Sequence, residues 1–237
     1  MKSVLYLGDG PVTGPACYLS GILKYAGFSA THLWNQKLSP KVLKKKFSVI
    51  ILSDYSSRNI SKTCSFQIQE QVLDGCGLLM IGGWSSFRGR DGHYENTLIE
   101  EMLPVKCLSR DDRHNLASGA FLLKRKSAAD ILRGILMKPA PFIVGYNEVR
   151  MKKNAELILE LKENASGRTR PLLVTGRYGR ARTAAFMTDA APHWCGGLVD
   201  WGSERVRIQV ASGVQIEVGS LYVKFFVQLL RSIAKTV

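Results

Sequence analysis

Asp54, Asp189 and His193 are residue types that carry acid–base chemistry, and Asp54 and Asp189 each follow an apolar stretch of chain. An imidazole titrates near neutral pH, and a carboxylate can orient it or move a proton itself. Asp189 precedes His193 by four residues, a spacing that lets it orient the ring. Asp54 reads also as a cap on the turn after its strand, and His193 as a loop histidine held by hydrogen bonds. Gly82 and Gly83 end another apolar run. Bare backbone there permits a tight turn and lets a ligand approach closely. Trp84 offers a flat wall for a sugar or other ring, or a core aromatic. Arg88 and Tyr94, with Arg90 and His93 between them, belong to a following loop suited to close over an anionic or polyol ligand. The expected catalytic set is therefore His193, Asp189 and Asp54, and the expected ligand-binding set is Gly82, Gly83, Trp84, Arg88 and Tyr94.

Other chemistries lack their residues. The chain has no HExxH helix, no phosphate-binding GxxxxGK[ST] loop and no GxSxG elbow. Its five cysteines (Cys17, Cys64, Cys76, Cys107 and Cys195) are widely spaced, with no CxxC pair. No disulfide framework, metal site or cofactor is expected, and a reducing, cytoplasmic compartment fits. Cys195 reads as a small buried thiol rather than a nucleophile.

The 33 basic and 19 acidic side chains give a formal charge of +14. Such a balance suits an anionic partner. The basic residues are spread, however, in short clusters such as Lys44 to Lys46, Lys124 to Lys126 and Arg168 to Arg182, without a nucleic-acid motif. A solvated surface is the simpler reading, and nucleic acid is not an expected partner. No run of 18 apolar residues occurs, so no membrane span is expected.

The elements that must position these residues follow from periodicity. Residues 3–8, 28–34, 47–52 and 77–81 read as strands, the last two almost wholly apolar, as strands covered on both faces are. Residues 15–26 and 65–75 read as helices, each with a glycine just beyond or at its end. The spacing also predicts a helix over 128–137, a strand over 156–161 and a closing amphipathic helix over 220–234. Two strands, 171–175 and 183–188, flank a turn at Gly179 and make a hairpin. Alternating strands and helices argue for a parallel sheet, whose ligands sit beyond the carboxyl ends of the strands. The loops at Gly8-Asp9, Asp54-Tyr55 and Gly82 to Trp84 would all open on that edge.

The blocks Ile81 to Gly89, Gly92 to Thr97, Met102 to Val105 and Arg177 to Trp194 resemble a family of glutamine amidotransferase-like proteins. That family lies in the class I glutamine amidotransferase-like superfamily, near the ThuA-like proteins. The resemblance covers most of the chain. It implies one domain over residues 1–237 and a flavodoxin-like α/β fold: a mostly parallel sheet between helices, with an added antiparallel hairpin. It also implies a cysteine at the sharp turn after the central strand, a histidine base and a glutamate to orient it. Here Gly82 stands at the cysteine position, His193 lies near the histidine region, and no His-Pro-Glu follows. These departures argue against glutamine hydrolysis. The expected function is binding or hydrolysis of a small polar ligand. A non-enzymatic homo-oligomeric scaffold and a polyanion-binding module stay open as alternatives.

Overall fold

The computed structural model describes residues 2–125 and 130–234. Strands β1 (Ser3–Gly8), β2 (Ser29–Leu33), β3 (Val49–Ser53) and β4 (Gly77–Ile81) alternate with helices α1 (Ala16–Tyr25) and α2 (Lys62–Leu73). Next come α3 (Leu98–Met102), β5 (Val105–Lys106), β6 (Arg113–Lys124), β7 (Phe142–Asn147), β8 (Arg150–Met151) and β9 (Glu156–Glu163). The hairpin β10 (Thr169–Tyr178) and β11 (Ala181–Phe186) precedes α4 (Pro192–Cys195). A second hairpin, β12 (Arg205–Ala211) and β13 (Val214–Gly219), leads into α5 (Ser220–Ile233).

One nine-stranded sheet dominates, in the order β2-β1-β3-β4-β11-β10-β9-β6-β7. The five strands from β2 to β11 run parallel. From β11 onward every neighbour is antiparallel. The fold is thus α/β, with a parallel core and an antiparallel extension. The expected hairpin is the hinge between these two halves, because β11 pairs with β4 on one side and with β10 on the other. Three further strands extend it beyond the hairpin expected from sequence.

The apolar strand runs are explained by two cores, one on each face of the sheet. Val4, Tyr6, Val49, Ile51, Leu79 and Ile81 face one core, with α1, α5 and the β12–β13 hairpin. Leu5, Leu7, Ile50, Leu52, Leu78 and Met80 alternate with them and face the other, with α2 and α3. Side chains on a strand alternate between faces, so a strand covered on both sides must be apolar throughout.

Residues 126–129 lie outside the described residues, so the helix expected over 128–137 is only partly visible. Residues 130–134 form turns instead. Gly134 adopts φ +63°, which ends any right-handed helix there, and its carbonyl accepts a bond from Lys224 Nζ at 2.8 Å. Among the described residues no helix is long and apolar enough to cross a membrane.

Candidate active site at the carboxyl ends of the parallel strands

Register alone gathers the site. Gly8 pairs with Ser53, Ser53 with Ile81, and Ile81 with Phe186, so four parallel strands end level with one another. The residues just beyond those ends are Asp9, Asp54, the Gly82-Gly83-Trp84 loop and Asp189. Three carboxyl groups therefore meet on one sheet edge.

Each of the three is pushed towards its protonated form. Asp9 is raised from the ordinary 3.8 to about 7, first by burial and then by the nearby charge of Asp54. The Tyr6 hydroxyl donates to Asp9 Oδ2 and offsets part of that rise. Asp189 is raised well above the ordinary range by burial, then by the charges of Asp9 and Asp54; bonds from the Ala191 and Ala190 amides oppose this. Asp54 is raised by burial, while bonds from the Ser85 and Trp84 amides and the proximity of His193 hold it down. Burial leads each rise, and the charges of neighbouring carboxylates add to those of Asp9 and Asp189, so ionising one disfavours ionising the next. Asp9 (φ 58°) and Asp54 (φ 49°) also adopt the left-handed backbone conformation. That costs a non-glycine residue about 1 kcal/mol or more, and such outliers concentrate at working sites.

His193 is exposed in the short helix α4, its ring 6.1 Å from that of Trp84. Trp84 is 38% exposed at the rim, and the Arg113 guanidinium sits 4.6 Å from its ring centre. His193 and Trp84 thus border the carboxylates on one side. On the other, Tyr6 stacks on His32 at 4.3 Å, and His32 lies against the half-exposed Trp34 at 5.3 Å. Burial lowers the His32 imidazole, and its Nε2 lies 2.9 Å from the Gly8 carbonyl oxygen.

The structure corrects four sequence expectations. Gly82 and Gly83 do not present free backbone to a ligand. Both are buried; the Gly82 N–H donates to Phe186 O (2.7 Å) and Thr188 O (3.0 Å), and the Gly83 N–H donates to Asn147 Oδ1 (2.9 Å). A Cβ on Gly82 would lie 2.3 Å from Met187 O and 2.8 Å from Asn147 Oδ1. Their role is close packing of backbone. Tyr94 is fully buried and donates to Tyr55 O, so it supports the loop from beneath instead of lining the cleft. Arg88 pairs with Glu95 at 3.0 Å and holds the loop to itself. Finally, Asp189 does not orient His193. Its Oδ1 accepts from Ala191 N at 2.9 Å, and its electrostatic neighbours are Asp9 and Asp54.

Sequence reasoning left Asp9 out of the site set, although it follows β1 as Asp54 follows β3. It also missed two buried side chains that fix the elbow. Asn147 grips Gly83 at both N–H and C=O. Asp112, fully buried, accepts from Asn147 Nδ2 at 2.7 Å and from the Arg88 and Gly89 amides at 2.9 Å each. No local pattern marks either one, because their partners are 23 or more positions away. None of the five cysteines stands in this set, and Cys195 is buried, with its thiol raised first by burial and then by the Asp189 charge. Among the described residues no group of three metal-ligating side chains is assembled.

The family described as "putative glutamine amidotransferase" matches residues 45–210. The chain belongs to this family. The matched stretch contains β3, β4, the elbow and β11, and so carries Asp54 and Asp189 but not Asp9. No curated protein matches the chain. Solved structures similar to it include two proteins titled cytoplasmic. STM3548 from Salmonella typhimurium is 23% identical, with TM-score 0.78 and all of both chains covered. STM1381 from Salmonella typhimurium LT2 is also 23% identical, with TM-score 0.77 over 98% of this chain and 100% of that one. A ThuA-like protein from Bacteroides uniformis is 10% identical, with TM-score 0.54 over 97% of this chain and 89% of that one. These likenesses carry the fold of the family member, not its chemistry.

Proposed function

We propose that this family member binds a small, polar, hydroxyl-bearing molecule at the carboxyl ends of β1, β3 and β11, and that its chemistry there is acid–base hydrolysis by carboxyl groups and not thiol-based glutamine hydrolysis. One observation carries the reading: Asp9, Asp54 and Asp189 share one edge with their proton affinities raised. A protonated carboxyl donates a hydrogen bond, an ionised one accepts, and a set holding both can move a proton to or from a bound ligand near neutral pH. Asp9 suits a group that both gives and takes a proton at pH 7. His193 and Trp84 add an exposed imidazole and an aromatic ring at the rim. Thiol chemistry is disfavoured because Gly82 carries no side chain and its N–H and that of Gly83 are already bonded, leaving neither for a developing oxyanion.

The test is a panel of mono- and disaccharides, glycosides, acetyl esters and glutamine, assayed for hydrolysis and for ligand-dependent rise in melting temperature. Hydroxyl-bearing members should bind, and Asp9→Asn and Asp54→Asn should each weaken binding. Turnover of glutamine that disappears in a single cysteine variant would refute the reading.

A second reading has its own support. Phe121 and Phe142 face each other across β6 and β7 and are each 44% exposed, at the free edge of the sheet. Such a pair favours a second copy of the chain seated along β7. Light scattering at increasing concentration distinguishes a dimer from a monomer.

A further inference from the structure

We propose a second ligand site, for a small anion with an apolar body such as an aryl or alkyl phosphate, in the cavity between the β10–β11 hairpin and the end of α5. The cavity measures about 650 Å³, within the usual range for small-molecule pockets. It is lined by Thr175 and Arg177 of β10, Arg182 of β11, and Ser232 and Ile233 of α5. Arg182 stands at the start of β11, so this cavity opens at the amino-terminal end of the parallel strands, opposite the carboxylate edge.

Two observations point to an anion. The first is register: Arg177 and Arg182 are directly opposed in the hairpin. Like charges so placed repel, and an unpaired cross-strand pair destabilises a sheet. The second is the absence of compensation. Among the described residues no carboxylate lies within 4.0 Å of either guanidinium. Glu156 and Asp130 also border the cavity, but Asp130 is engaged by Arg133, and Glu156 forms no ion pair among the described residues. Arg182 is held in place by donating Nη1 to Ser232 O at 3.2 Å, while the Arg177 guanidinium makes no hydrogen bond or ion pair among the described residues. A phosphate between the two would turn the repulsion into two charge-assisted contacts, the geometry at which guanidinium groups excel.

The apolar part of the lining sets the rest of the ligand. Ile131, Ile158 and Ile233 border the cavity and belong to the same hydrophobic core. Inorganic phosphate would leave that part bare, whereas a phosphate ester with a ring or short alkyl group would cover it. This site shares no residue with the carboxylate edge, so its fate is independent of the proposed function.

The experiment is thermal unfolding of the full chain with phenyl phosphate or inorganic phosphate, at ionic strength matched with sodium chloride. Phenyl phosphate should raise the melting temperature of the wild type, and more than inorganic phosphate does. Arg177→Gln and Arg182→Gln should each weaken apparent affinity by about tenfold or more, the loss of one charge-assisted contact. Arg110→Gln, which removes the same charge elsewhere, should leave it unchanged. Without ligand, Arg177→Thr should unfold at a temperature no lower than wild type, because the cross-strand repulsion is gone. Equal responses in wild type and Arg177→Gln, no response to either phosphate, or a response to Arg110→Gln as large as to Arg177→Gln would overturn the site. Equal affinity for the two phosphates would overturn the apolar-body assignment.

Discussion

The carboxylate of Asp54 occupies the space that a side chain on Gly83 would need: a Cβ added there would lie 2.2 Å from Oδ1. The elbow after β4 is thus closed by a carboxylate from the end of β3, and its second glycine is the condition for that closure. The first glycine is closed equally, by Met187 O and Asn147. Restoring the thiol by Gly82→Cys should therefore fail. Crowding buried backbone costs about 1–3 kcal/mol or more, so the variant should show a lower urea midpoint and no glutamine hydrolysis. A Gly82→Cys protein with wild-type stability and measurable glutaminase activity would show that the elbow tolerates a nucleophile after all.

The raised carboxyl groups make stability depend on pH in a definite direction. Asp9 ionises at about 7 in the folded chain against 3.8 ordinarily. Its contribution is fully present below about pH 4 and is lost as pH rises through 7, each unit of difference being worth about 1.4 kcal/mol. Asp189 acts in the same direction. Asp9→Asn cannot ionise, so its stability relative to wild type should improve between pH 4.5 and pH 8. Urea unfolding at the two values measures this, and a pH-independent difference would count against the shift.

Asn147 and Asp112 form the buried frame behind the elbow. Asn147→Ala would leave the Gly83 N–H and C=O without their partner and remove a bond to Asp112. Each orphaned buried group costs about 1–3 kcal/mol, so a loss of about 2–4 kcal/mol is expected. Hydrogen exchange at the Gly83 amide should accelerate beyond what the global loss explains. Local protection unchanged from wild type would mean that Asn147 does not hold the elbow.

The parallel half of the fold was legible because its strands are buried on both faces. Val49 to Leu52 and Leu78 to Ile81 leave no other reading. The hairpin at Gly179 was legible from turn chemistry, and α5 from its apolar stripe. Strands β6 and β7 were not, because β6 carries Gly119 and exposed Phe121 and Leu123 and its pairing register slips between Asn115 and Ala120. No clean alternation survives such a slip. Within the candidate site, the strand ends pointed to the sheet edge on which Asp54 and Asp189 lie. The function of Gly82 and Gly83 could not be read locally. Whether a glycine faces a ligand or a neighbouring backbone depends on Asn147 at the end of β7 and Met187 just past β11, both far away in sequence. Tyr94 misled for the same reason: a tyrosine in a polar loop gives no sign that its ring turns inward.

The central claim, that buried carboxyl groups with raised proton affinity make up this site, is tested most directly by NMR titration of the aspartate side-chain carboxyl carbons. Asp9 should titrate near 7, and its midpoint should fall in Asp54→Asn, where one of the charges raising it is gone. Titration of Asp9 near 4, with no response to Asp54→Asn, would contradict the claim.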